Sequence, residues 1–235
     1  MNRNRIIIGV IVIITIYLLY LYFQDPSDTT LVSTHDARKL KVVSGSNLPN
    51  GASIDYTYSI WFYVNDWNYR FGETKVIFGR TDQNNDPAPS VTLAPSTNNL
   101  TVTLATYPTS GSNANPPTMH SCTLENVPLQ KWTNLIVSLN NRALDMYLDG
   151  KLVRTCVLPG VPKANPDANV LLTPSGGFSG KISSFRYIAK AINPTEAYNI
   201  YKEGYGSGLL GGMFDRYKVK IGFLRDNEEI NSIEL

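Results

Sequence analysis

Asp145 and Asp149 are the carboxylates that most resemble a working pair, because "ALDMYLDG" is an alternating strand that puts both on one side. A retaining glycosidase needs its acid and nucleophile about 5 to 5.5 Å apart across one bond. Four residues of strand separate these two by roughly 13 Å, and the chain has no Glu-x-Asp-x-x-Glu run. Asp149 has a geometric purpose instead: Asp149-Gly150 suits a two-residue hairpin turn in which both central residues take positive φ. Asp145 falls on the solvent side, where a charge needs no special role. His35 in a polar run and His120 in a loop lack a Ser, Cys or Asp at triad spacing. The expectation is a protein without catalytic residues and without enzymatic activity.

Other residues bear on binding. Asp82, Asn84 and Asp86 alternate like the first half of a calcium loop, but Pro87 stands where an EF-hand needs glycine and Leu93 where it needs a bidentate glutamate. Asp82 and Asp86 are the one metal candidate, for calcium, set against a plain polar loop; no other cofactor is signalled. Trp67 and Tyr69, just after a strand, could offer an aromatic platform to a sugar ring or a protein partner, with core packing as the alternative reading for Trp67. Trp61 and Trp132 are assigned to the interior. Asn99-Leu100-Thr101 is a glycosylation sequon that matters only on a luminal face. Cys122 and Cys156 are too few for a disulfide framework or a four-ligand zinc site; a bond between them fits a luminal orientation and is not expected on a cytosolic one.

The elements that must position these residues follow from composition and pattern. The 235 residues carry a formal net charge of +2 with the basic residues scattered, which argues against a nucleic-acid face. Fourteen tyrosines, with abundant Gly and Pro, favour strands and turns. Residues 1–5 form a flank with Arg3 and Arg5, and residues 6–23, "IIIGVIVIITIYLLYLYF", are uncharged over 18 positions, about 27 Å of helix. Bulky aromatics follow where a signal peptidase wants small residues, so the segment is predicted to remain as a single transmembrane helix. The charge bias favours an exoplasmic or luminal globular part, with the reverse orientation as the alternative.

Residues 24–52 are polar and turn-rich, with only "KLKVV" as a short strand, and read as a stalk. From residue 53 to 204 short strands succeed one another: "YTYSIWFYV", "KVIFGR", "NLTVTLAT", "SCTLENV", "WTNLIVSLN", "ALDMYLDG", "KLVRTCVL" and "GKISSFRYI". Turn signals between them and no intervening helix predict an all-β antiparallel sandwich. One short C-terminal helix is signalled by Asn193 as N-cap, Pro194, Glu196 in a capping box and Gly204 as the stop. Residues 205–235 hold a glycine-rich hinge and strand-forming pieces, and the span 217–235 could pair with its own sheet or be given to a partner.

The Trp132 strand, the Tyr147-x-Asp149-Gly150 hairpin, the Gly180-Lys181-Ile182 strand and the Asn193-Pro194-Thr195-Glu196 helix start occur in one order. In that order they resemble the concanavalin A-like lectin/glucanase superfamily, in its laminin-G and pentraxin-like branch. The resemblance covers about Ser53 to Gly204 and implies a jelly roll of two curved sheets, with calcium in rim loops of some relatives. "YSIWFYVNDWNYRFGETKVIFGR" further resembles membrane-anchored members carried by large DNA viruses. That implies a minor capsid or virion membrane component linking a membrane to a protein shell, with lipid and other capsid or membrane-associated proteins as partners. The alternative is a single-pass cell-surface or luminal lectin with a glycan as ligand.

Overall fold

The computed structural model describes residues 10–19, 28–81, 84–107, 117–206, 220–225 and 228–234. Helix α1 occupies residues 10–19 of the apolar run; the remainder of 6–23 lies outside the described residues. Among the described residues no helix is long and apolar enough to cross a membrane. The strands in chain order are β1 (Asp28–Val32), β2 (His35–Asp36), β3 (Lys41–Val43), β4 (Tyr56–Asp66), β5 (Lys75–Thr81), β6 (Pro87–Leu93), β7 (Leu100–Tyr107) and β8 (Thr118–Leu124). They continue with β9 (Thr133–Asn140), β10 (Ala143–Leu148), β11 (Lys151–Val157), β12 (Val161–Pro162), β13 (Val170–Leu172) and β14 (Ser179–Ile188). Helix α2 (Pro194–Glu203) follows, then β15 (Lys220–Arg225) and β16 (Glu228–Glu234).

These strands build two antiparallel sheets. One runs β1-β14-β4-β9-β10-β11, with β2 also on β14; the other runs β12-β7-β6-β5-β13-β3, with β8 on β7. Alternation explains why they stack. Tyr56, Tyr58, Ile60, Phe62 and Val64 of β4 point into the shared core, where they meet Phe78, Val91, Leu93, Leu100, Val102 and Leu104 of the facing sheet. Each such side chain removed from water stabilises the fold by about 1.5 to 3 kcal/mol before entropy is subtracted.

The outer face of the first sheet is covered as well. Asn193 caps α2 by accepting the Glu196 N–H, Glu196 returns the contact to the Asn193 N–H, and Pro194 opens the helix. Ala197 and Ile200 then bury against Ile136, Tyr147, Ile188 and Ile192. Trp61 stacks on Tyr201 with centroids 5.5 Å apart, and Trp132 on Tyr205. Both tryptophans therefore lie on this outer face and not in the sandwich interior, which corrects their assignment: Trp61 is out of phase with the inward residues of β4, and Trp132 stands just before β9 begins.

A second correction concerns residues 24–52. The span expected to be a stalk supplies β1 and β2 to one sheet and β3 to the other. Strands of two to five residues show no readable alternation, and their order comes from pairing with β14 and β13. The C-terminal β15 and β16 pair with each other in a separate two-stranded sheet; residues 217–219 lie outside the described residues.

The two sheets are joined covalently. Cys122 on β8 and Cys156 on β11 form a disulfide with Cα atoms 6.3 Å apart, linking an edge strand of one sheet to an edge strand of the other. Closing 34 residues of chain in this way is worth about 4 kcal/mol in the chain-entropy picture.

Candidate functional site: a rim groove beside Trp67

The β6–β7 and β7–β8 registers decide what gathers at one rim. Leu93 pairs with Leu100 and Leu100 with Leu124, so the turn at 94–99 and the turn after Leu124 emerge side by side. Asn98 Nδ2 donates to the Val127 carbonyl at 3.0 Å, and Asn99 Oδ1 accepts the Asn126 N–H at 3.3 Å, which ties the two turns together. Trp67, in the turn after β4, closes the third side. The result is a groove of about 660 Å³ lined by Trp67, Ser96, Thr97, Asn98, Asn99, Glu125, Asn126 and Leu129. Pockets of this size suit a small ligand.

The groove sets amides, hydroxyls and a carboxylate beside one indole. Asn98 keeps a carbonyl oxygen and Asn99 an amide NH₂ beyond the bonds they make to the turn after Leu124, and Ser96, Thr97 and Glu125 are polar and at least partly exposed. Amides and hydroxyls beside a half-buried indole pair with sugar hydroxyls while the ring covers an apolar sugar face. Behind Trp67 stands Lys75, whose Nζ is 4.5 Å from the centre of the indole ring. Lys75 is buried and its Nζ has no hydrogen-bond partner. Burial, aided by the nearby Arg70 and opposed by Glu73, holds its pKa below the usual lysine value.

The expected platform is only half formed. Tyr69 is not in this groove: its hydroxyl donates to the Gly176 carbonyl at 3.2 Å and its ring lies 5.5 Å from the Arg38 guanidinium carbon. The groove's Asn98, Glu125 and Asn126 were not singled out from sequence. The polar run "STNN" before one strand and "EN" after its neighbour were the available signal, readable only once the hairpin register is known.

The remaining candidates have structural employment. Asp149 and Gly150 take φ of 48° and 74°, the turn that their pairing anticipates. Asp149 accepts the Asn134 N–H at 2.9 Å and the Lys131 ammonium at 2.8 Å, which raises the lysine's pKa. Gly150 lies beneath α2, where an added Cβ would come within 2.9 Å of Tyr201 Cβ. Asp145 accepts the Thr155 hydroxyl across the β10–β11 pair. Asp82 lies outside the described residues. Asp86 holds the Lys163 ammonium at 2.7 Å with both side chains mostly buried, so the cation it would need for a calcium site is already supplied by the chain. Among the described residues no group of three His, Cys, Asp or Glu is arranged to hold a metal ion. His35 Nε2 bonds the Lys39 carbonyl oxygen, and His120 sits on β8 opposite Leu104.

Comparison with known proteins places this geometry. The family model described as Concanavalin A-like lectin/glucanases superfamily, of laminin-G type, matches residues 35–197, more than half of the chain. The chain belongs to the concanavalin A-like lectin/glucanase superfamily. The match begins at β2, in agreement with the early strands being part of the sandwich. No curated protein matches the chain.

Among solved structures, the chain is similar to the receptor binding domain of botulinum neurotoxin D, at 13% identity and a TM-score of 0.56, over 74% of this chain and 43% of that one. It is also similar to the binding domain of botulinum neurotoxin DC in complex with rat synaptotagmin II, at 16% identity and 0.53, over 77% and 44%. The same domain in complex with SialylT gives 15% and 0.52, over 77% and 43%. The chain thus spans less than half the length of these domains, and at such identities the likeness is one of fold.

Proposed function

We propose that this member of the concanavalin A-like superfamily is a non-enzymatic, membrane-tethered binding protein whose rim groove takes a neutral sugar of a glycan. The observation that carries the reading is the groove itself, in which Trp67 stands beside the partly unused amides of Asn98 and Asn99. The solved neurotoxin domains of like fold, one bound to SialylT and one to a synaptotagmin, support a binding role in general.

The tether reading is supported by α1: Val10 through Ile14, Ile16 and Leu18 are all about half exposed or more, so among the described residues the helix shows apolar side chains on every side. Its Thr15 hydroxyl is satisfied internally by the Ile11 carbonyl at 2.8 Å, as lipid requires. The Cys122–Cys156 bond supports an exoplasmic or luminal sandwich, where thiols oxidise.

A second reading keeps the anchor and makes the chain a structural link between a membrane and a protein shell, as in a minor capsid or virion membrane component. It is favoured by the separate β15–β16 hairpin and by the outer edge of β11, where Leu152, Val153 and Val157 are exposed.

The deciding experiment places the full-length chain, made without N-glycosylation and held in detergent, on a glycan array with and without calcium. Binding to neutral glycans that disappears with Trp67→Ala supports the sugar reading. Absence of glycan binding together with recovery of the chain in purified particles supports the structural one.

A further inference from the structure

A second groove shares no lining residue with the first, and its chemistry differs. It is lined by Thr34, His35, Asp36, Arg38, Tyr63, Asn65, Trp132, Ser179, Gly180 and Lys181, with a volume of about 610 Å³. Four facts make it a built site and not a dent between strands.

First, the aromatic wall is fixed. Tyr63 and Trp132 sit with centroids 5.8 Å apart, and Tyr205 lies flat on Trp132 at 4.6 Å with planes 8° apart, so the indole is braced by two rings. Second, Arg38 is held ready. Its Nη2 donates to Ser179 Oγ at 2.9 Å and its guanidinium carbon lies 5.5 Å from the centre of the Tyr69 ring, which leaves other N–H donors unused. Here Tyr69 finds its role. Third, Lys181 stands exposed in the same groove and makes no ion pair among the described residues, although Asp36 is its register partner on β2. Asp36 instead accepts the Arg38 backbone N–H at 3.0 Å. Fourth, the floor exists only because residue 180 is glycine: a Cβ there would come within 1.9 Å of the Tyr63 carbonyl oxygen and push β14 away from β4.

Among the arginine, lysine and aspartate side chains of the groove, Arg38 and Lys181 against Asp36 leave one positive charge in excess. One net positive charge matches a monoanion. A restrained guanidinium meets a planar carboxylate through two parallel hydrogen bonds, and the single excess charge is balanced by a carboxylate but exceeded by a doubly charged phosphate. An aromatic wall with Asn65 and Thr34 beside it suits a hydroxylated ring on which that carboxylate is carried.

We propose that this groove binds a carboxylated sugar, with Arg38 gripping the carboxylate, Lys181 adding charge, and Tyr63 and Trp132 covering the ring. The site is distinct from the Trp67 groove and does not depend on the reading given to it.

The test uses three probes that differ at one carbon: methyl β-glucuronide, methyl β-glucoside and methyl β-glucoside 6-sulfate. Each is titrated into the full-length chain in detergent and followed by saturation-transfer NMR. The glucuronide is expected to bind at least tenfold more tightly than the glucoside. Arg38→Gln should erase that preference, and Lys181→Gln, at an exposed position, should weaken it about threefold with an unchanged melting temperature. Trp67→Ala should leave it intact, which separates this site from the first. Equal binding of glucuronide and glucoside, tighter binding of the sulfate ester, or a preference that survives both charge substitutions would overturn the proposal.

Discussion

The ammonium of Lys75 lies 4.5 Å from the centre of the Trp67 ring, buried and without a hydrogen-bond acceptor. A cation so placed is held by the ring's electron-rich face but has lost its water. Lys75→Met keeps the stem and removes the charge, and is expected to raise stability at pH 7 by about 1 kcal/mol. The sign with pH follows from the lowered pKa. Between the folded value and the ordinary 10.5, the unfolded chain binds the extra proton, so wild-type stability gains with rising pH and the advantage of Lys75→Met shrinks toward zero. Urea unfolding of both proteins at pH 7 and pH 10 checks this.

Tyr56 and Tyr58 bury hydroxyls that have no hydrogen-bond partner. Arg80, the nearest cation, gives its donors to the carbonyls of Gly51, Pro166 and Ala168. Burial raises both phenol pKa values well above 10, the Tyr58 value despite the opposing pull of Arg80. A phenol raised in the fold contributes stability that is whole below pH 10 and is lost as pH climbs through the folded value, because the unfolded chain ionises first. Tyr58→Phe removes one orphan hydroxyl. It should gain about 1 kcal/mol at pH 7 and soften the loss of stability above pH 10, read by circular dichroism during alkaline titration.

Gly150 and Gly72 have similar backbone angles, φ of 74° and 84°, and different surroundings. Nothing lies within 4 Å of a Cβ built on Gly72, whereas one on Gly150 meets Tyr201. Gly72→Ala should cost about 1 kcal/mol, the conformational strain alone. Gly150→Ala should cost roughly 2 to 3 kcal/mol, since α2 must also move. The difference between their unfolding midpoints measures how firmly the hairpin turn is wedged under the helix.

Reduction of the Cys122–Cys156 bond, or the paired replacement Cys122→Ser and Cys156→Ser, is expected to cost up to about 4 kcal/mol. The same loss should appear with and without reductant in the double variant, and only with reductant in the native chain. Thermal unfolding under both conditions gives the comparison.

What the sequence told and withheld has physical reasons. The β4 alternation, the Asp149-Gly150 turn and the Asn193 cap are local, since each is encoded within about ten residues and each takes the expected form. The strands β1 to β3 were not legible, because "DTTLV", "HD" and "KVV" are too short for periodicity and owe their order to partners more than a hundred residues away. Asp86 looked available for calcium because Lys163, its counterion, is 77 residues distant. For the same reason Trp67 was visible as an aromatic beside a turn, whereas Asn98, Glu125 and Asn126 became its neighbours only through the β7–β8 register. Tyr69 was paired with Trp67 by proximity in sequence, and the fold sends the indole to the rim groove and the phenol against Arg38 and the Gly176 carbonyl.

Asp28, where β1 begins, is the register partner of Ile188, where β14 ends. The polypeptide from α1 enters the sandwich there, whereas the polypeptide leaving β14 stays on the same sheet through α2 and Tyr205. Tension that lifts the α1 side off the sheet would open the β1–β14 ladder one hydrogen bond after another from Asp28, at low force, while tension from the C-terminal side is carried first by α2. The opposite margin of that sheet, at β11, is riveted to its neighbour by sulfur. Under mechanical load the molecule would therefore pay out a few residues of slack at one margin while the rest of the jelly roll, and both grooves' aromatic walls, kept their shape.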